Sequence, residues 1–140
     1  MANPNVALSL RWFEEVWNVR RTEIIDELLT PQSVGHMEGA DVVGAEGFKK
    51  VRQEFLTAFP DLRLAVDGVV GDGDDVVVRW TATGTHTGPG FGGTPTGRVV
   101  SFRGMTWLRY RGGKLVEGWD NWDQTALMMC CGLPGAGGQS

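Results

Sequence analysis

The spacing of apolar residues changes once along this chain, near Pro60, and the change separates a helical first part from a stranded second part. Asn3-Pro4 offers an N-cap followed by proline at the first helical position, and Val6, Leu10, Phe13 and Trp17 then recur at helical spacing. This pattern predicts an amphipathic helix over 4–18. Thr22 can cap a second, shorter helix with Glu23 in its first turn and Ile24, Ile25, Leu28 and Leu29 apolar, before Pro31 halts it. A third helix is predicted from about Ala45, with Phe48, Val51, Phe55 and Phe59 on one stripe and Pro60 as its stop. Between the second and third helices, SVGHMEG reads as a loop that carries His36.

Beyond Pro60 the period becomes two, with Leu62, Leu64 and Val66 alternating against Asp61, Arg63 and Asp67. Gly71 to Asp74 is a turn into a long strand from Val76 to Thr87. Gly112-Gly113 is a tight hairpin turn between strands 98–111 and 114–123. Gly88 to Gly97 is too rich in Gly and Pro for regular structure and reads as a loop over a pocket mouth. A short helix is predicted over about 124–131. Helices followed by a meander of long strands imply an α+β class, with helices on one face of a curved antiparallel sheet that can enclose a pocket. One domain over 1–132 is expected, with a frayed Gly-rich tail over 133–140.

Composition narrows the functions this framework can serve. A chain of 140 residues with 41% hydrophobic and 21% charged residues can bury one core without metal or disulfide staples. A formal net charge of −4 supplies no broad basic surface for phosphates, so nucleic acid is not an expected partner. The first residues show neither a signal-peptide core nor a membrane-spanning stretch, which makes the cytoplasm the expected compartment. Cys130 and Cys131 are adjacent and match no metal spacing, and with only two histidines no protein-held metal is expected. Six tryptophans are many for this length, and a flat, apolar ligand suits them.

Strand parity selects the candidate chemistry. Val76, Val78, Trp80, Ala82, Gly84 and His86 share one face of their strand, and Val116, Gly118, Asp120 and Trp122 share one face of the last strand. Asp120 reads either as a partly exposed residue near a strand end or as a carboxyl on an apolar face, raised in pKa and able to act as a base. His86 and His36 read either as hydrogen-bonded structural residues or as polar groups of a site. No Lys-Ser/Thr ending follows GPGFGG, which argues against a phosphate loop, and no nucleophile elbow is present. The only tyrosine, Tyr110, lies beside the Gly112-Gly113 turn and is expected in solvent, which disfavours an isomerase site with a phenolic donor. A water-holding Arg and Asp two residues apart is not formed at Arg79, which is followed by Trp80 and Thr81.

The order RWFEEVWN (11–18), IDELLTP (25–31), His36, GFKKVRQEFLTAFPDLRL (47–64), RWTATGTHTG (79–88), PTGR (95–98) and GGKLVEGWDNWDQTALM (112–128) resembles the SnoaL-like polyketide cyclase or ester cyclase family. The resemblance covers most of the chain and implies the nuclear transport factor 2-like cone with a deep cavity. It implies that Asp120 is the acid/base of a cofactor-free intramolecular aldol closure, and that His86 and His36 face the cavity and hydrogen-bond substrate carbonyls. The ligand, a small hydrophobic carbonyl compound, is then expected against Trp80, Trp122, Phe91, Met37 and Trp17. The alternatives are a ligand-binding protein of the same fold without chemistry, or a related isomerase or epoxide hydrolase. The outward sheet face, with Val77, Val99 and Met105, needs cover that three helices cannot supply, so a homodimer is expected.

Overall fold

Helix α1 (Pro4–Arg11) starts as its sequence predicts, with the Asn3 side chain accepting the Asn5 backbone N–H at 2.9 Å. The α-helical winding does not continue to residue 18. From Trp12 to Asn18 the chain widens into a π-helical segment, visible in the Val19 N–H bonded at 2.8 Å to the carbonyl of Glu14, five residues back. The wider turn brings Trp12, Phe13 and Val16 all into the core. Its end is held by Arg52, whose guanidinium donates to the Val16 carbonyl at 3.0 Å and to Thr22 Oγ1 at 2.5 Å. Arg52 is only 5% exposed, and burial lowers its pKa. The computed structural model describes residues 3–91 and 94–132; the predicted tail 133–140 lies outside them, as do Gly92 and Gly93.

After α2 (Thr22–Leu28) the expected loop is instead a strand pair, β1 (Leu29–Met37) and β2 (Ala40–Val43). Pro31, Gly35 and Gly39 hide these strands from a period-two reading, because only Ser33 in β1 is fully buried. Helix α3 (Gly44–Ala58) follows, then β3 (Arg63–Asp72), β4 (Asp75–Thr85), β5 (Val99–Arg111), β6 (Lys114–Trp122) and α4 (Gln124–Cys130). Asp123 caps α4 by accepting the Ala126 N–H at 3.0 Å. The α+β class expected from the sequence holds.

All strands join one sheet in the order β2-β1-β6-β5-β4-β3. Four of its joints are antiparallel, while β1 runs parallel to β6, so the sheet is mixed. No hairpin links β1 to β6, so connectivity does not force their antiparallel pairing. Bulges shift the register in β3 between Val66 and Gly68 and in β6 opposite Arg109 and Tyr110. Such extra residues bend a sheet, and here the concave side receives α1, the π-helical segment and α3. Trp12, Phe13, Ile24, Ile25, Phe48, Phe59, Trp80, Phe102 and Leu108 fill the space between.

Candidate active site

The core does not fill the concave side completely. A cavity of about 90 Å³, counted as the space open to the centres of water-sized molecules, remains between helices and sheet. At roughly 10–15 Å³ per water it exceeds a site for one buried water and suits an organic group. Trp12, Phe13 and Trp17 enter it from the π-helical segment, Phe48 and Phe55 from α3, and Trp80, Phe102, Leu108 and Trp122 from the strands. No Lys, Arg or His lines it among the described residues. Two carboxyl residues do, Glu117 and Asp120, and their surroundings differ.

Glu117 is engaged on the outer side of the sheet, with one oxygen 2.7 Å from His36 Nε2 and the other 3.7 Å from the Arg109 guanidinium. Asp120 has no cationic partner among the described residues. One of its oxygens, Oδ1, accepts a 2.5 Å hydrogen bond from Thr106 Oγ1, which itself accepts the indole N–H of Trp80 at 2.9 Å. Thr106 stands directly across β5 from Asp120, and Trp80 lies across from Gly104. Gly104 is required there: a Cβ would fall 2.4 Å from the Trp80 ring and 2.8 Å from the Asn121 carbonyl. Burial pushes the Asp120 carboxyl up to about 6, against the Thr106 hydrogen bond, which lowers it; the charge of Glu38 adds a smaller upward push. Asp120 itself is half-buried, and its remaining surface opens onto the cavity it lines.

A residue of pKa near 6 on an apolar wall can take a proton from a ligand and return it near neutrality. The indole N–H of Trp122, also on this wall, is buried without a hydrogen-bond partner among the described residues. No group of three or more His, Cys, Asp and Glu side chains gathers to hold a metal among the described residues.

The expected site residues divide. Asp120, Trp80, Trp122, Met37 and Trp17 meet around the cavity. His36 does not join them: as part of strand β1 it alternates away from its lining neighbours Gly35 and Met37. It is held on the other face between Asp41 at 2.9 Å and Glu117 at 2.7 Å, and stacks on Trp119 with ring centroids 5.5 Å apart. Its hydrogen bonds to Glu117 and then to Asp41 raise its pKa.

His86 is completely buried, but both ring nitrogens are engaged by the loop that follows, Nδ1 with Thr96 and Nε2 with the Gly90 carbonyl, each at 3.1 Å. It ties down the segment after β4 and does not line the cavity. Phe91 stands one layer out, its ring 4.9 Å from that of Phe55, which does line it. Tyr110, expected in solvent, is 1% exposed because its hydroxyl reaches under α1 to Ser9 Oγ at 2.9 Å. Burial pushes that phenol up to about 12.

Thr106 and Gly104 escaped the sequence reading. A plain two-residue turn at Gly112-Gly113 would place Thr106 opposite Trp119. The bulge at Val116 slips the register by one residue, sets Thr106 opposite Asp120, and turns Leu115 inward beside Gly118.

Comparison with known proteins agrees with this architecture. The profile of the SnoaL-like polyketide cyclase family matches residues 7–129. A structure from Jannaschia sp. CCS1, provisionally assigned as a SnoaL-like polyketide cyclase, superposes with TM-score 0.86 at 28% identity, covering 96% of this chain and 98% of that one. IdmH from Streptomyces antibioticus, provisionally a polyketide cyclase, gives TM-score 0.79 at 28% identity, covering 94% of this chain and 100% of its own. AclR from Streptomyces galilaeus, provisionally a hydroxylase, gives TM-score 0.79 at 35% identity, covering 90% of this chain and 79% of its own. No functionally curated protein matches. With a profile match over most of its length and a curved sheet closed by N-terminal helices, the chain belongs to the SnoaL-like polyketide cyclase family, in the nuclear transport factor 2-like fold.

Proposed function

We propose that the protein binds a flat, apolar compound bearing at least three carbonyls and closes a ring in it by an intramolecular aldol reaction, with Asp120 as general acid/base and no cofactor. The observation that carries this reading is the single carboxyl without a cationic partner on a mainly apolar cavity wall, with its pKa lifted to about 6. As carboxylate, Asp120 takes a proton from a carbon flanked by two carbonyls. The enolate carbon attacks a further carbonyl elsewhere in the same molecule, forming the carbon–carbon bond, and the alkoxide so formed takes the proton back from Asp120. Substrate and product are isomers. A positioned base contributes about 10²–10⁴ in rate.

We further propose a homodimer formed through the outer sheet face, where Val99, Met105 and Trp107 are 75%, 51% and 46% exposed.

The test is to incubate the protein and its Asp120→Asn variant with an aryl poly-β-ketoester and follow product by mass. An isomeric, cyclised product from the wild type and none from the variant supports the reading. Equal product from both removes Asp120 from the chemistry. A product heavier by one oxygen favours hydroxylation, as AclR is provisionally assigned. Binding without product from either protein favours a carrier.

A further inference from the structure

The two oxygens of Asp120 are not equivalent. An indole nitrogen can only donate, so Trp80 Nε1 fixes Thr106 Oγ1 as an acceptor on one side. The hydroxyl has one hydrogen, and Asp120 Oδ1 is the acceptor 2.5 Å from it. Were the proton of the neutral acid on Oδ1, two hydrogens would face each other along this contact and a buried hydroxyl would lose its acceptor. The proton therefore belongs on Oδ2. That oxygen has no protein partner among the described residues, and it is not among the buried polar atoms sealed from open space. It faces the cavity that Asp120 lines.

Resting on the acid/base reading above, we propose that Thr106 and Trp80 are positioning residues that occupy one Asp120 oxygen and leave the other, Oδ2, as the atom that exchanges a proton with the ligand. The chain indole to hydroxyl to carboxylate is built across three strands, β4, β5 and β6, so it is as rigid as the sheet. Thr106 is 4% exposed and Trp80 5%, which keeps water from substituting for either donor. Gly104 completes the device, because only a residue without Cβ lets the Trp80 ring cross β5. The other charged groups near the carboxyl are Glu38, from the turn between β1 and β2, and Glu117, on the same strand and bonded to His36.

The full-length protein, labelled with carbon-13 at aspartate carboxyls, is titrated by NMR, with the Asp120 signal assigned by its loss in Asp120→Asn. Thr106→Val should raise the Asp120 midpoint by about one to two pH units, a tenfold to hundredfold gain in proton affinity, because the donor to the charged form is gone. Thr106→Ser keeps the hydroxyl and should titrate like the wild type. Trp80→Phe should shift the midpoint in the same direction by less, since Thr106 loses the donor that aligns it.

An unmoved midpoint in Thr106→Val, or an equal shift in Thr106→Ser, overturns the proposal. If Thr106→Val does not fold, Trp80→Phe decides: an unmoved midpoint there has the same meaning. The titration needs no substrate. A shifted midpoint together with Asp120→Asn that still forms product leaves the positioning standing and removes the proposed reaction.

Discussion

Asp120 and Trp119 are adjacent in β6, yet the sheet sends them to opposite worlds. On the outer face Trp119 carries His36, which is bracketed by Asp41 and Glu117, with Arg109 and Asp75 paired at 2.9 Å nearby. The groups there are paired and partly open to solvent. On the inner face Asp120 has one hydroxyl, mainly apolar neighbours and, among the described residues, no cation. The outer carboxylates raise the pKa of a histidine, whereas the inner carboxyl is itself driven toward the neutral form. What decides the role of a titratable residue here is the face of one strand, not its type.

The largest effect expected from breaking this contrast is on turnover. Asp120→Asn fills the same volume and can accept from Thr106 through its amide oxygen, but it cannot take a proton. Product formation should fall about 10²–10⁴-fold while affinity for the ligand changes little, measured by mass spectrometry and calorimetry. Stability should move the other way. A carboxyl raised from 3.8 to about 6 on folding makes the native state the better proton binder, so wild-type stability declines as pH rises through that window. The variant lacks this penalty and should melt at or above the wild-type temperature at pH values well above it.

Gly104→Ala attacks the inner face through packing. With its Cβ 2.4 Å from the Trp80 ring, the indole must leave Thr106, and a loss of about 1–3 kcal/mol in stability is expected from urea unfolding. Tryptophan fluorescence should shift with it. Met105→Glu tests the outer face: light scattering should give a dimer for the wild type and a monomer for the variant, with the melting of each protomer's core unchanged.

The smallest effect is expected at His36. Its folded pKa lies above the ordinary 6.5, so its contribution is complete below that value and disappears as pH rises through the raised one. His36→Gln should lower the melting temperature at mildly acidic pH, lose that difference in alkaline buffer, and leave turnover intact.

Much of this arrangement was readable before the coordinates. The switch from helical spacing to alternation at Pro60 locates the long strands, and parity puts Asp120 and Trp122 on one face of the last strand and Trp80 on the apolar face of its own; the fold brings the two faces to one wall. Three features were not readable. The π-helical winding over Trp12–Asn18 leaves apolar spacings close to those of an α-helix. Strands β1 and β2 are short of buried residues, since Pro31, Gly35 and Gly39 interrupt the pattern that burial would impose, so the segment carrying His36 reads as a loop. The bulge at Val116 changes which β5 residue meets Asp120, and a one-residue slip is invisible to parity counted along a single strand. His86 shows a further limit: parity placed it inward correctly, but could not tell that Thr96 and Gly90 use both its nitrogens.

The most direct measurement is the carbon-13 titration of the Asp120 carboxyl in the unmodified, ligand-free protein. A midpoint near 6, about two units above an ordinary aspartate, is the result expected of a lone carboxyl on a dry wall. A midpoint at the ordinary aspartate value would mean that water solvates Asp120 freely, and would contradict its role as an acid/base poised for chemistry near neutrality.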